Sequence, residues 1–226
     1  MRIYFVMDIL DGKVVRALGG EREKYYSISE FSKIVGEDDP IRVVEIIKPR
    51  YLYVADLNRI MGKGTNTRII EMLASRVEHL IADCGFKKAE ELEGLNFTPV
   101  LGTETFDVTQ LENIDIPVFV SVDIKRGRLL DASGKFEFES LIEYLNSFDL
   151  PGVIVLTLDK VGTRSLDLNT IEKAVELSEN PVFAGGGVGS VDDLIKLKEI
   201  GCRGALIATA VHIGSIGLDV VRRGYI

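Results

Sequence analysis

The sequence predicts an α/β fold, a (β/α)8 TIM barrel built from two repeated half-barrels. Three observations support this prediction. Eight short apolar segments follow one another along the chain, helical patterns stand between them, and four motifs of the first half return in order in the second half. No low-complexity linker separates the halves. We therefore predict one domain over residues 1–226, with half-barrels over about 1–115 and about 116–226.

The predicted strands are continuous apolar runs, which is typical of strands buried on both faces of a parallel sheet. In chain order they read RIYFVMD, YLYVADL, HLIAD, TPVLG, PVFVSVDI, GVIVLTL, PVFAGG and GALIAT. An open doubly wound sheet is the competing architecture, but the first strand-to-helix turn lacks a G-x-G-x-x-G fingerprint.

The helical patterns carry recognisable start signals. In DDPIRVVEIIK, Asp39 is placed as the N-cap and Pro40 at the first helical position. In SVDDLIKLKEI, Ser190 and Asp193 form a capping-box pattern, and TRIIEMLAS, FESLIEYLNS and LNTIEKAVELS repeat apolar residues at helical steps. The segment Asp11–Asp39 is long for a connection, so we expect either a lid or a solvated surface loop there.

The internal repeat is the most informative pattern. FVMDILDGKVVRAL returns as FVSVDIKRGRLLDA, ADLNRIMGKGT as LTLDKVGTRS with one gap, IADCGFKKAEEL as FAGGGVGSVDDL, and VLGTETF as LIATAVH. The matched positions are Asp8 with Asp123, Gly12 with Gly127, Asn58 with Asp159, Gly85 with Gly187, and Thr103 with Thr209. Four matches in the same order indicate that units one to four correspond to units five to eight.

Composition excludes several classes of function. The net charge of −8 argues against binding of a nucleic-acid backbone, and no apolar run is long enough to cross a membrane. Cys84 and Cys202 lie far apart and only two histidines are present, so we expect neither a disulfide framework nor a structural zinc site. The apolar run at the opening is short and is interrupted by Asp8, which is not typical of a signal peptide. We therefore expect a cytoplasmic protein. We expect it to be either a monomer or a small homo-oligomer.

The repeated aspartates are the candidate catalytic residues. Asp8 and Asp123 end the first and fifth predicted strands, which lie opposite each other in an eight-stranded barrel. Two carboxyl groups facing each other across one mouth can act as an acid–base pair. The alternative is that each aspartate caps the local turn before Gly12 or Gly127.

Glycine-rich turns predict a phosphate site in the second half of the chain. The loops after the seventh and eighth strands of such barrels often bind phosphate through free backbone N–H groups. The candidate residues are Gly185, Gly186, Gly187, Ala208 and Thr209. The matching first-half residues, Gly85, Lys87, Gly102 and Thr103, give a second candidate site, but Asp83 would repel an anion there if it pointed inward. We therefore expect one good phosphate site and one degraded or altered site.

These motifs together resemble the HisA/HisF family of histidine-biosynthesis barrels, and HisA most of all. The resemblance rests on FVMDILDGKVVRALGGEREKY, DDPIRVVEIIKPRYLYVADLN, VFVSVDIKRGRL, FAGGGVGSVDDL and GALIATAVHIG, and it spans nearly the whole chain. It implies a half-barrel-repeat TIM barrel that interconverts an aminoaldose and an aminoketose on a phosphorylated small molecule without a cofactor or metal. By resemblance, Asp8 is the general base, Asp123 is the general acid, and Asp56, Thr157 and Gly162 contact the substrate.

The chain departs from the family pattern at three places. The first-half motif G-G-G-I-R reads DCGFK here, Val161 replaces the aspartate that usually precedes Gly162–Thr163, and the loop after the fifth strand lacks a Gly-Trp segment. Three hypotheses remain open: a HisA-type sugar-phosphate isomerase, a HisA-derived enzyme acting on a different phosphorylated substrate, and a non-catalytic ligand-binding barrel. The altered first-half motif supports the second hypothesis, and the intact aspartate pair argues against the third.

Overall fold

The protein is a closed eight-stranded parallel barrel, described over residues 1–226 in a computed structural model. Each strand pairs in parallel with the next, and the eighth pairs with the first from Arg2–Gly204 to Phe5–Ile207, which closes the ring. All eight predicted strands are confirmed. They are β1 Arg2–Leu10, β2 Tyr51–Asp56, β3 His79–Asp83, β4 Thr98–Gly102, β5 Phe119–Lys125, β6 Val153–Thr157, β7 Val182–Gly185 and β8 Gly204–Ile207.

The helices surround the barrel, and their predicted caps are confirmed. Asp39 accepts a hydrogen bond from the Arg42 N–H, and Ser190 and Asp193 form the expected capping box. The longest helix has 10 residues, and no helix has the length and apolar character that crossing a membrane requires. The helices are α1 Pro40–Ile47, α2 Leu57–Ile60, α3 Thr67–Ala74, α4 Phe138–Leu145, α5 Leu168–Leu177, α6 Val191–Glu199, α7 Thr209–His212 and α8 Leu218–Arg223.

Two of the eight units lack the expected α-helix. The connections after β3 and β4 form only short 3-10 helices, Ala89–Leu92 and Val108–Asn113. The connection from β3 to β4 covers residues 84–97 only and is rich in Glu and Lys, so few residues remain for a full helix after the chain has turned back. The (β/α)8 barrel is confirmed, with a 3-10 helix in place of an α-helix at these two connections.

The alternation of side chains along each strand separates two cores. One set of side chains, including Tyr4, Phe119 and Phe183, fills the barrel interior, with Phe119 and Phe183 edge to face at 5.3 Å. The other set packs against the helices in a cluster of 49 buried residues. Because successive residues point to opposite faces, this alternation also decides which polar residues at the strand ends reach the mouth of the barrel.

The segment Asp11–Asp39 is an ordered hairpin rather than an unstructured loop. Lys13–Arg16 pairs antiparallel with β1, and Tyr26–Ser27 pairs with Lys13–Arg16 in turn. Short 3-10 helices at Arg22–Lys24 and Ile28–Glu30 complete the excursion. Because this segment supplies several side chains to the cavity at the barrel mouth, the prediction of a lid describes it better than that of a solvated loop.

The internal repeat of the amino-acid sequence is matched by equivalent hydrogen bonds in the two halves of the barrel. After β1 the Asp11 N–H donates to Asn58 Oδ1 over 2.7 Å, and after β5 the Arg126 N–H donates to Asp159 Oδ1 over 2.8 Å. Both turns have two successive residues with positive φ, Asp11–Gly12 and Arg126–Gly127. The match of Asn58 with Asp159 therefore corresponds to a shared backbone support for the two hairpins.

Candidate active site

A cavity opens at the carboxyl ends of the strands and is lined by both acidic and basic side chains. Asp8, Asp83 and Asp123 point to the inner face of the barrel. Each lies two positions after an interior residue of its own strand, and side chains two positions apart share a face. The charged lining residues are Asp8, Arg16, Arg22, Asp83, Glu104, Asp123, Lys125 and Arg164. In barrels of this type the residues at this end of the strands carry the chemistry, so this cavity is the candidate active site.

Asp8 stands at the mouth as a half-buried carboxyl group without a hydrogen-bond partner in the protein. Burial raises its pKa from 3.8 to about 7, against the opposing attraction of the Arg22 guanidinium. The turn at Asp11–Gly12 is held by Asn58 and Asn66 instead, through bonds of 2.7 and 3.0 Å. Asp8 is therefore not the cap of that turn, and its oxygens are free to contact a ligand.

Asp123 is only 3% exposed and is held in a fixed orientation. The Ser121 hydroxyl donates to Oδ1 over 2.7 Å and the Glu104 N–H donates to Oδ2 over 3.1 Å. Burial, followed by the neighbouring Asp83 carboxyl, raises the pKa of Asp123 to about 8. Like Asp8, Asp123 does not cap the turn that follows its strand, because Asp159 binds that turn.

Asp83 is a third inward-facing carboxyl group. The sequence did not show whether this side chain points inward or outward. A Cβ atom placed on Gly102 would lie 2.9 Å from Asp83 Oδ2 and 3.0 Å from Asp123 Oδ2, so the two carboxyl groups flank this glycine. Burial raises the pKa of Asp83 to about 6, and the Gly85 N–H lowers it by donating to Oδ1 over 2.8 Å. Oδ2 of Asp83 has no hydrogen-bond partner in the protein.

Tyr53 places a phenol among the three carboxyl groups. It is 4% exposed, lines the cavity and forms no hydrogen bond with the protein. Burial raises its pKa well above 10, and the neighbouring Asp83, Asp123 and Asp8 carboxyl groups add to the effect. The hydroxyl group is therefore neutral and available to a ligand.

The hairpin segment is attached to the mouth by an ion pair. The Arg22 guanidinium donates to both Glu104 carboxylate oxygens, over 3.1 and 2.5 Å. The two residues are 82 positions apart in sequence, so no local pattern points to the contact. Because this pair neutralises Glu104, the excess negative charge at this end of the cavity lies on Asp83 and its neighbours.

The second-half glycine loop has the geometry of an anion cradle. Gly186 and Gly187 both have φ of +87°, and a Cβ atom there would lie 2.5 Å from Thr157 O and 2.3 Å from Ser165 O. The N–H groups of four residues at this end form no hydrogen bond within the protein: Gly186, Gly187, Val188 and Ala208. Gly186, Gly187, Ala208 and Thr209 line the cavity, whereas Gly185 does not.

Basic side chains accompany this cradle. Arg164 lines the cavity beside the glycine loop, is exposed and forms no ion pair. Arg16 also lines the cavity, with its guanidinium 3.7 Å from the centre of the Phe31 ring, and its Nε has no partner. The two cations and the free N–H groups give this end of the cavity a positive character.

The matching first-half residues have no such cradle. The Gly85 N–H, the counterpart of the free Gly187 N–H, is bound to Asp83. Lys87 is exposed on the surface, and Thr103 uses its hydroxyl to accept the Asp123 N–H over 2.9 Å. None of the four candidate residues, Gly85, Lys87, Gly102 and Thr103, lines the cavity.

The three expected substrate contacts have different positions. Asp56 faces outward from β2 and does not line the cavity. It accepts hydrogen bonds from the Asn66 N–H over 2.6 Å and from Asn66 Nδ2 over 2.7 Å. Asp56 is therefore placed to hold the connection after β2 rather than a substrate. Thr157 also faces outward and is buried, with its hydroxyl unpartnered. Gly162 does line the cavity, and its φ of +76° lets it approach Ala17 O. No group of three or more His, Cys, Asp or Glu side chains is arranged to hold a metal ion.

Fold and site together define a TIM barrel with its titratable groups gathered at the carboxyl ends of the strands, the arrangement of barrel enzymes. Residues 2–217 match the model of the family described as histidine biosynthesis protein, and the chain belongs to this family. Its sequence is 29% identical over 244 residues to an isomerase of Thermococcus onnurineus, with 96% of each chain covered. It is 30% identical to the corresponding isomerase of Pyrococcus furiosus, with 96% of this chain and 92% of the relative covered.

The names of these two isomerases describe an imidazole-4-carboxamide that carries two 5-phosphoribosyl groups. A third relative, from Methanocaldococcus jannaschii, is an uncharacterized protein, 32% identical over 231 residues with 98% and 97% of the two chains covered. The comparisons therefore establish the family and support an isomerase of the HisA type.

Proposed function

We propose that this protein is an aldose–ketose isomerase that moves a proton within a phosphorylated aminosugar, with Asp8 and Asp123 as the acid–base pair. One observation carries the proposal: two inward-facing carboxyl groups on β1 and β5 stand at one mouth of a closed barrel that also holds an anion cradle. The isomerases among the relatives give the reaction class.

The environments of the two carboxyl groups suit different roles. Asp8, with a pKa of about 7 and no hydrogen-bond partner, is partly ionised at neutral pH and can take the proton from sugar C2 as general base. Asp123, with a pKa of about 8, keeps its proton under the same conditions and can donate it to the ring oxygen as the furanose opens. The free N–H groups of the glycine loop would hold the substrate phosphate during both steps.

A second candidate function is the same proton transfer on a phosphorylated compound other than the one named by the relatives. Asp83 motivates it, because this carboxyl group occupies the first-half position where the second half has a glycine. A non-catalytic ligand-binding barrel accounts less well for the site, since buried carboxyl groups with raised pKa values destabilise the fold and are typical of catalytic sites.

The test is turnover by the purified protein of the imidazole-4-carboxamide with two phosphoribosyl groups, alongside Asp8→Asn and Asp123→Asn. Asp115→Asn, at an exposed position, is the matched control for the same loss of charge. Turnover by the wild type and the control, with a loss of about 10²-fold or more in each site variant, would support the proposal. Unchanged turnover in Asp8→Asn would refute the assignment of the base, and a folded but inactive wild type would favour the second candidate.

A further inference from the structure

The cavity has two chemically different ends. At the end formed by the loops after β7 and β8, free N–H groups lie on the glycine loop that Arg164 contacts, and Arg164 forms no ion pair. At the end formed by β3 to β5, Asp83 and Asp123 flank Gly102. Two cations line the cavity there: Arg22 is bound to Glu104, and Lys125 donates to Gly20 O over 3.3 Å. A ligand that spans the cavity therefore meets hydrogen-bond donors at one end and acceptors at the other.

The acidic end does not provide what a phosphate needs. Its loop amides are already used, since the Gly85 N–H donates to Asp83 and the Lys87 and Lys88 N–H groups donate to Glu91 over 2.7 and 3.1 Å. A phosphate placed there would face the Asp83 carboxylate, and Lys125, the remaining cation on β5, donates to Gly20 O over 3.3 Å. The Asp83 side chain itself binds the amide whose second-half counterpart, at Gly187, is free.

The acidic end does provide acceptors for a cationic donor. Asp83 is 7% exposed and Tyr53 is 4% exposed, and both line the cavity with an oxygen that has no partner in the protein. Two unpartnered oxygens on side chains that are more than nine-tenths buried call for a ligand group that donates hydrogen bonds. An ammonium group has three N–H donors and a positive charge, which matches the Asp83 carboxyl group and the Tyr53 phenol.

We propose that the ligand is a singly phosphorylated compound with an amino group at its other end, the phosphate bound by the glycine loop and the ammonium by Asp83 and Tyr53. This inference deepens the proposed function, on which it rests for the site. It assigns Asp83 as the residue that selects an amine in place of a second phosphate.

The test uses three matched series of probes with spacers of increasing length: ω-aminoalkyl phosphates, ω-hydroxyalkyl phosphates and α,ω-alkanediol bisphosphates. Calorimetric titration of the wild type should show the best amine probe binding about tenfold or more tighter than its hydroxyl and bisphosphate counterparts. In Asp83→Asn, which retains an acceptor for the Gly85 N–H, the advantage of the amine should shrink to about threefold or less. Arg164→Gln is the control, and it should weaken all three probes alike.

A second variant, Asp83→Gly, tests the inference independently of whether Asp83→Asn folds. Asp83→Gly installs the residue found at the matched second-half position, Gly185, and frees the Gly85 N–H. Its affinity for the bisphosphate should rise about tenfold or more while its affinity for the amine falls. Far-ultraviolet circular dichroism shows whether each variant is folded.

Several outcomes would overturn the inference: tightest binding of the bisphosphate by the wild type, equal binding of amine and hydroxyl probes, or no binding of any probe. Turnover of the doubly phosphorylated imidazole-4-carboxamide would also overturn it while leaving the proposed function intact. Conversely, a clear preference for the amine in a protein that lacks isomerase activity on every aminosugar phosphate tested would support the inference and refute the proposed function.

Discussion

Asp83→Asn should stabilise the protein at alkaline pH and leave its stability almost unchanged in acid. Asp83 is 7% exposed, and burial is the largest cause of the rise in its pKa from 3.8 to about 6. The folded protein therefore holds this proton more tightly than the unfolded chain does. Asparagine has nearly the same shape, still offers an oxygen to the Gly85 N–H, and carries no charge to bury.

The magnitude follows from the linkage between proton binding and folding. Below about pH 4 the carboxyl group is protonated in both states, so its ionisation does not affect the free energy of unfolding. As the pH rises to about 6 the unfolded chain loses the proton first, and stability falls by ~1.36 kcal/mol per pH unit. Above about pH 6 the loss is complete at about 3 kcal/mol, which corresponds to roughly 6–12 °C in melting temperature for a chain of this size.

The measurement is urea denaturation followed by circular dichroism, at about pH 8 and about pH 4, for the wild type, Asp83→Asn and Asp115→Asn. The last variant removes the same charge from an exposed position and should change stability by less than about 0.5 kcal/mol at either pH. A variant at position 83 that is no more stable than the wild type at about pH 8, or that is stabilised equally at both pH values, would refute the reasoning.

Three further predictions concern the site and its surroundings. If the acid–base pair acts as proposed, kcat/KM should rise as Asp8 loses its proton near pH 7 and fall as Asp123 loses its proton near pH 8, and a profile that is flat across this range would contradict it. Gly187→Ala should weaken binding of inorganic phosphate and lower the melting temperature, because its Cβ would lie 2.3 Å from Ser165 O; Gly134→Ala, which has open space around it, is the control for binding. Arg22→Gln should speed limited proteolysis within residues 17–25, and an unchanged cleavage rate would show that its ion pair does not hold the hairpin.

The barrel could be predicted because its strands are apolar along their whole length. A strand buried on both faces is a local signal, and it identified all eight strands. Apolar strands do not show whether the connection between them forms an α-helix or a 3-10 helix. The short 3-10 connections after β3 and β4 were therefore not predicted. The hairpin at Lys13–Arg16 was also missed, although Asp11–Gly12 has the composition of a two-residue hairpin turn.

The same property of the strands hides the direction of their polar residues. In a strand with one wet face, alternation shows which side chains point inward, but in these strands both faces are apolar. Asp56 and Asp83 therefore look alike in sequence, each at the end of an apolar run. Only the structure shows that Asp56 faces the helices and Asp83 faces the cavity. The contact between Arg22 and Glu104 has no local signal at all.

The two half-barrels share the backbone hydrogen bonds of the loop after the third strand of each half, and they differ in the residue that ends that strand. In the second half the Gly189 and Ser190 N–H groups bind Asp193, and in the first half the Lys87 and Lys88 N–H groups bind Glu91 in the same way. The difference lies one turn earlier, where the strand ends in glycine in one half and in aspartate in the other.

That aspartate, Asp83, binds the Gly85 N–H inside its own half and reaches into the cavity with its other oxygen. Because the hydrogen bonds from the Lys87 and Lys88 N–H groups to Glu91 do not involve Asp83, a change at position 83 can alter the charge of the site while these bonds keep the loop in place. Under the proposed assignment, the choice between an amine and a second phosphate therefore depends on this strand end, and the Glu91 hydrogen bonds hold the loop that follows it.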